Sequence, residues 1–422
     1  MPGPLIEANW GDTVKVTVIN ELENNETFIH FHGIRQNYTN QHDGVPSITQ
    51  CPIAPNESQT YTWVASQYGS SWYLTTSLFK HGKDYGMVFL QDWDHDTVDS
   101  ILIARILGGN ITDAVGEHTV FDYVPGKRYL LRVINVAIQS TFKFFIGGHK
   151  FKVISTDFSP IVPYDGEILN VNIGQRYNLI IEADQPINNY WMRSDNQNVC
   201  ANITQALDTK AIVHYEGAPT GPLTTSGNTY TGACVDEPMA SLVPILQLNV
   251  GSEIDLEINK NITIAPNGDN PNLFRWYLSG TIFKSQWGDP TLYNIVANGT
   301  VPDDSGDLLI EISNEGEWVY MIGLGEYTSG TPLNLVNRPR RDTALMDGLG
   351  YLVIAFITDN PGVWLMHCHV GWHTSMGLAL QIVEAMDQIP QTVDDPEIIS
   401  DTCRAWDEYA SNRGLIVPDS GV

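Results

Sequence analysis

The chain has 422 residues, with 49 acidic against 22 basic side chains, a formal charge of −27 and a pI near 4.5. That excess of negative charge repels nucleic acid and anionic membrane surfaces, and no run of about 18 apolar residues is present to span a bilayer. The length suits about two to four domains with ample cores. Short Val-, Ile-, Thr- and Tyr-rich runs broken by Gly, Pro, Asn and Asp predict an all-β chain of Greek-key sandwiches.

In chain order, alternation over residues 14–20 predicts a half-buried strand. A second strand is expected over residues 27–33, where His30 and His32, two apart, share one face. Taken alone, an HxHG sequence fits two core-edge histidines as well as it fits ligands. Asp43-Gly44 follows as a turn pair. Residues 125–135 echo residues 11–20 as a faint internal repeat, and Gly174-Gln175-Arg176-Tyr177 opens another strand of that style. His95, His118, His149 and His214 are isolated and read as structural or surface residues. Strands are expected over residues 274–278 and 317–320, with their aromatics packing in a core. An acidic helix is expected within residues 393–406.

The most informative stretch is His367-Cys368-His369-Val370-Gly371-Trp372-His373. A strand over residues 364–369 sets His367 and His369 on one face and Cys368 on the other, so one strand serves two metal sites. A thiolate with imidazoles and a weak or absent axial donor favours copper cycling by one electron. Zinc uses the same ligand types, but HCHxxxH within an apolar strand is far more specific than a lone HxH. Leu378 falls in the axial slot, where it cannot coordinate. With Cys368 assigned to copper, Cys51, Cys200, Cys234 and Cys403 remain, and four cysteines allow three pairings.

On these residues the chain resembles the multicopper oxidases, and within them the laccases of ascomycete type. Further support comes from His30-Phe31-His32-Gly33, from DGVPSITQCPI (residues 43–53), from NRPRRDTALMDGLGYLVIAF (residues 337–356) and from the closing Asp419-Ser420-Gly421-Val422. The resemblance implies three cupredoxin-like domains, here bounded at residues 1–83, 84–240 and 241–422, with the first and third truncated. It implies the disulfides Cys51–Cys403 and Cys200–Cys234. It also implies type 1 copper on Cys368 and His373 with Leu378 axial, type 2 copper on His30, and type 3 copper on His32, His367 and His369. Asp43 takes the place of an acid credited with delivering protons to oxygen.

Two ligand motifs of the family are missing. After Ser71-Trp72-Tyr73 the family continues with His-Ser-His, but here Leu74-Thr75-Thr76-Ser77-Leu78-Phe79-Lys80-His81 follows, and His81 lies out of register in an expected loop. After residues 317–320 the family continues to His-Pro-x-His-Leu-His-Gly. This chain passes directly to residues 321–327, and no His occurs between His214 and His367. Six of the family's ten protein ligands are thereby matched, so fewer than its four coppers are expected.

The implied activity is one-electron oxidation of phenols or aromatic amines, coupled to four-electron reduction of dioxygen to water. The substrates are small molecules and a monomer is expected, with no nucleic-acid or membrane partner. Two alternatives are a non-enzymatic copper- or partner-binding cupredoxin-like product of a laccase gene, and an ascorbate or ferrous-iron oxidase. The cystine pairs and about seven Asn-x-Ser/Thr sequons, among them Asn25, Asn37, Asn56 and Asn202, point to secretion. The opening Met1-Pro2-Gly3-Pro4 resembles text inside the mature family protein, so a late start is expected.

Overall fold

The computed structural model describes residues 4–74, 87–90, 119–197, 199–200, 209–219, 228–251, 256–267, 273–302, 308–323, 333–346 and 350–414. His81, His95, His118 and the closing DSGV lie outside them. The chain is mostly β, and its strands gather around three cores.

Four strands come from the first 74 residues: β1 (Thr13–Ile19), β2 (His30–Phe31), β3 (Ser58–Val64) and β4 (Tyr73–Leu74). Among the described residues β1 pairs only with β3, and β2 only with β4. Alternation holds in β3, whose Tyr61 and Trp63 enclose Phe31 of β2 in a small core. The strand expected over residues 27–33 shrinks to two residues plus a lone bridge from Thr27 to Ile53. Among the described residues its ladder with β4 is two pairs long, His30 with Leu74 and Phe31 with Tyr73.

The central unit is a complete sandwich of β5 (Met87–Leu90), β6 (Val120–Tyr123), β7 (Arg128–Asn135), β8 (Phe142–Ile146), β9 (Phe151–Thr156), β10 (Ser159–Gly166), β11 (Leu169–Val171), β12 (Arg176–Glu182), β13 (Asn189–Asn196) and β14 (Lys210–Tyr215). Its two five-stranded sheets run β10-β9-β12-β7-β5 and β11-β8-β13-β14-β6. Leu131 and Val133 on β7, with Leu179 and Ile181 on β12, face Phe142, Phe144 and Ile146 across a dry core.

The last unit holds β15 (Leu256–Lys260), β16 (Ile262–Pro266), β17 (Phe274–Leu278), β18 (Leu309–Ile312), β19 (Trp318–Gly323), β20 (Leu352–Ile357), β21 (Gly362–His367) and β22 (Ala379–Glu384), in sheets β15-β19-β20, β16-β17 and β18-β22-β21. Its helices are α1 (Thr291–Asn298), α2 (Gly371–Ser375), α3 (Ile389–Thr392) and α4 (Pro396–Arg413). Strand β21 stops at His367, short of the expected residue 369. There the Cys368 N–H donates to the Leu378 carbonyl (3.0 Å), and the chain turns into α2. Pro396 starts α4 and left-handed Gly414 ends it. Its buried stripe Ile399, Cys403 and Trp406 follows the helical period.

The first and last units share a seam. Val45, Ile48 and Cys51 belong to the core of the last unit, and Cys51 is bonded to Cys403 of α4 with Cα atoms 4.9 Å apart. The second disulfide joins Cys200 and Cys234; both pairings are those the resemblance implies. The Asn40 amide donates to the Val363 carbonyl (3.0 Å) and accepts from the Val363 N–H (2.9 Å), as a neighbouring strand would. Nearby, buried Glu384 accepts from the Asn360 N–H (2.5 Å), and the Asn360 amide donates to the Arg35 carbonyl and accepts from the Tyr38 N–H.

Burial, with Asp359 adding to it, pushes the Glu384 carboxyl up to about 7. Because this value lies above that of the unfolded chain, its stabilisation is complete below the unfolded pKa of about 4.3 and is lost as pH rises through about 7. Glu384→Gln stays neutral throughout. Its urea midpoint should fall less than that of the wild type between about pH 5 and about pH 8; equal falls would contradict this account.

Candidate metal centre

Strand β2 points Phe31 into the first core, which turns His30 and His32 to the opposite side. Their rings meet edge to face, 4.6 Å between centroids. His30 Nδ1–H donates to the Asp43 carbonyl (2.8 Å), with the Asp43 carboxylate 3.4 Å away. That bond sets the tautomer and leaves Nε2 as the free lone pair. Burial lowers the His30 pKa, but the charge and hydrogen bonds of Asp43 outweigh it and leave the group above its ordinary value.

His32 is buried, and its ring lies flat on Trp72, 4.0 Å between centroids and 12° between planes. From the far end of the chain, β21 and the turn after it bring His367 and His369 to the same place. The His32 and His369 rings are 5.1 Å apart, and those of His367 and His369 are 5.6 Å apart. His367 Nδ1–H donates to the Cys368 carbonyl (3.0 Å). Although His367 and His369 retain partial exposure, the surrounding protein desolvates both rings. Burial brings His367 down to about 4; burial and then the charge of His367 bring His369 down to about 3. His32 is held well below the ordinary value by burial first, then by His30, His369 and His367. The Nε2 atoms of His32 and His369 are buried without a hydrogen-bond partner among the described residues. A buried polar atom left this way is costly unless something else occupies its lone pair.

Cys368 lies on the other side of the strand, as alternation expects. Its Sγ is 3.4 Å from Nδ1 of His373, which α2 carries. Leu378 completes this loop through its backbone: its N–H donates to the His373 carbonyl (3.0 Å), its carbonyl accepts from Cys368, and its side chain packs on the core of the last unit. Trp276 of β17 sits beside His373, 4.5 Å between centroids. Burial lowers His373 to about 4 and raises the Cys368 thiol to about 11. Cys368 is the free cysteine.

The donor chemistry suits copper, with neutral imidazoles and orphaned nitrogens on one side and a soft sulfur with an imidazole on the other. Both sets are partial. Among the described residues no group of three or more His, Cys, Asp or Glu side chains already has a metal-holding geometry. His149 and His214 lie apart from the site: His149 bonds the Gly147 carbonyl (2.9 Å) and the Tyr215 hydroxyl (2.6 Å), and His214 bonds the Asn189 side chain (2.6 Å).

Models of the multicopper oxidase family match residues 1–92, 68–218 and 314–388. The chain is similar to laccase-1 of Botryotinia fuckeliana, 38% identical over all of this chain and 84% of that protein. It is also similar to oxidoreductase OpS5 of Beauveria bassiana, 37% identical over all of this chain and 83% of that protein. The chain belongs to the multicopper oxidases. This multicopper oxidase is an oxidoreductase of the laccase type, and copper is the cofactor of its family. Its fold superposes on the laccase of Botrytis aclada with a TM-score of 0.90 at 35% identity, covering 100% of this chain and 89% of that one. Fet3p, a multicopper oxidase that functions in iron import, shares the fold alone at 20% identity and a TM-score of 0.80. The alignment with laccase-1 runs over 482 positions against the 422 residues of this chain, so about 60 positions of that relative have no counterpart here.

Sequence reasoning left out several residues that shape the site. Trp72 was legible only as the text before the missing His-Ser-His, and Trp276 only as a core aromatic. Gly174 and Arg176 read as a strand entry, although an Arg at the head of a strand carrying Leu179, Ile180 and Ile181 is itself a signal of a buried partner.

In the metal-free protein under non-reducing conditions, iodoacetamide should label one thiol per chain. The rate should lie well below that of a free cysteine near pH 8 and climb as pH approaches about 11. Labelling that persists in Cys368→Ser, or a fast rate at neutral pH, would contradict the burial described.

Proposed function

We propose that this chain acts as a laccase-type oxidase, taking single electrons from phenols or aromatic amines and delivering them to dioxygen. The observation that carries the reading is the meeting of His30 and His32 with His367 and His369, brought from opposite ends of the chain with two orphaned Nε2 atoms. In this reading His30 holds type 2 copper, while His32, His367 and His369 hold type 3 copper. Cys368 and His373 hold type 1 copper beside non-coordinating Leu378. Bound copper supplies the one-electron redox chemistry and the reduction of oxygen.

The protein's own part is placement. Cys368 is joined covalently to His367 and His369, which makes the backbone and side chains of three consecutive residues the shortest connection between the two sites. Desolvation keeps His32, His367 and His369 neutral near pH 7, as metal ligands must be. In this reading Asp43 hands a proton toward oxygen, which its burial with a carboxylate 3.4 Å from His30 supports. The disulfides and sequons support export, and the division at residues 83 and 240 is the one proposed for its three units.

A second reading, a copper-binding protein without turnover, is favoured by one feature: the described residues offer the sulfur of Cys368 a single imidazole. Copper per chain, read beside the visible spectrum and oxygen uptake with a phenol, separates the two. The laccase reading expects bound copper, fewer than the family's four, with slow oxygen uptake that stops in His369→Ala. Copper without uptake selects the second reading, and no retained copper overturns both.

A further inference from the structure

Arg176, at the start of β12, is 1% exposed and sits where all three units meet. Its guanidinium makes a two-pronged ion pair with Asp342 of the last unit, with Nη2 2.6 Å from Oδ2 and Nη1 on Oδ1. Nε donates to the Ser70 carbonyl of the first unit (3.3 Å), and Nη1 to the Gly174 carbonyl of the central unit (3.1 Å). Asp157 accepts from the Arg176 backbone N–H at 3.0 Å. A buried ion pair by itself says little about function. What this pair touches is more specific.

Gly33 follows His32 in the chain and has φ of +70°. A Cβ there would lie 1.9 Å from Asp342 Oδ2 and 2.6 Å from Arg176 Nη2, so the ion pair lies directly on the backbone of Gly33. Gly174 has φ of +78°, and a Cβ there would lie 2.6 Å from Cδ2 and 2.8 Å from Nε2 of His369, so that ring rests on the bare Cα of Gly174. Both conformations favour glycine. The guanidinium thus packs against the residue beside His32 and holds the carbonyl of the residue under His369.

We propose that Arg176, paired with Asp342, is the positioning residue that sets His32 and His369 at their mutual distance for metal binding. The proposal rests on the reading of these histidines as ligands. Lysine keeps the charge of Arg176 but lacks the planar fork, and cannot hold Asp342, Ser70 and Gly174 together. Supports of this kind are typically worth about 10- to 100-fold in metal affinity.

The test is a copper(II) titration followed by electron paramagnetic resonance, in the full chain carrying Cys368→Ser so that the sulfur does not contribute. Arg176→Lys should bind copper(II) about 10- to 100-fold more weakly and with altered hyperfine splitting. Asp342→Asn should do the same with Arg176 intact, because it removes the carboxylate that holds the guanidinium, and it decides the matter if Arg176→Lys fails to fold. Gly174→Ala, whose methyl displaces the His369 ring, supplies the spectrum of a misplaced ligand. Val213→Ala, a loss of packing in the same sandwich away from the site, is the comparison for simple destabilisation. If copper(II) binds to the parent but Arg176→Lys, or Asp342→Asn where Arg176→Lys does not fold, matches Val213→Ala in affinity and spectrum, the positioning role is overturned. If the parent binds no copper(II), or His32→Ala binds as well as the parent, the ligand reading itself fails and the proposal falls with it.

Discussion

The seam between the first and last units is the constraint on which the site depends. Strand β2 is two residues long and, among the described residues, has only β4 as its ladder partner, so that described sheet does little to fix it. It is held because the segment after it dives into the core of the last unit through Val45 and Ile48, while Asn40 bonds Val363 of β21 from both amide atoms. Gly362 lets this happen: a Cβ there would stand 2.9 Å from Cγ of Asn40. The Cys51–Cys403 bridge closes the same seam across 352 residues, and cross-linking so long a loop removes much of the freedom of the unfolded chain. Two pairs of histidines from distant parts of the sequence are therefore brought into register by packing that uses none of the four.

Electrostatics around the seam follow from desolvation. Three of the four clustered imidazoles are held far below their ordinary pKa, so acid that protonates them must also break up a low-dielectric cluster. His30 differs because Asp43 both hydrogen-bonds it and sets a carboxylate 3.4 Å from its Nδ1. The same low dielectric makes the Arg176, Asp342, Asp157 and Arg341 network expensive to bury and costly to break on one side only. That asymmetry rigidifies the junction of the three units.

Much of this was legible in the sequence, for identifiable reasons. Strand alternation marked β1, whose Val14, Val16 and Val18 turn inward, and likeness to that stretch marked the strands that became β7 and β12. The face assignments of His30, His32, His367 and His369 needed only a local period of two, and survive the shortening of both strands. The cysteine pairing was open on counting alone and followed only from family resemblance. The shortness of β2 was not legible, because strand length depends on a partner that comes from elsewhere in the chain, and among the described residues that partner is β4 alone. The seam, the stacking of Trp72 on His32 and the support of His369 by Gly174 are contacts between segments far apart, and no local period reports them.

The two halves of the proposed copper site respond differently to the absence of the family's other ligand motifs. Around Cys368 and His373 the neighbours include Trp276 and Leu378, neither of which can donate to copper, and burial raises the thiol more than the Val370 backbone hydrogen bond lowers it. This half relies on a metal to draw off its proton. In the four-histidine half, burial already holds His32, His367 and His369 below their ordinary values. His30 is oriented by the Asp43 carbonyl, His32 by the face of Trp72, His367 by the Cys368 carbonyl and His369 by Gly174. Each of those contacts belongs to the protein rather than to a metal or to another histidine, so losing half of the family's cluster ligands does not remove them. Orientation by such neighbours is what makes a ligand set preorganised. It explains how the cluster keeps its geometry in a chain that lacks both of the other histidine motifs.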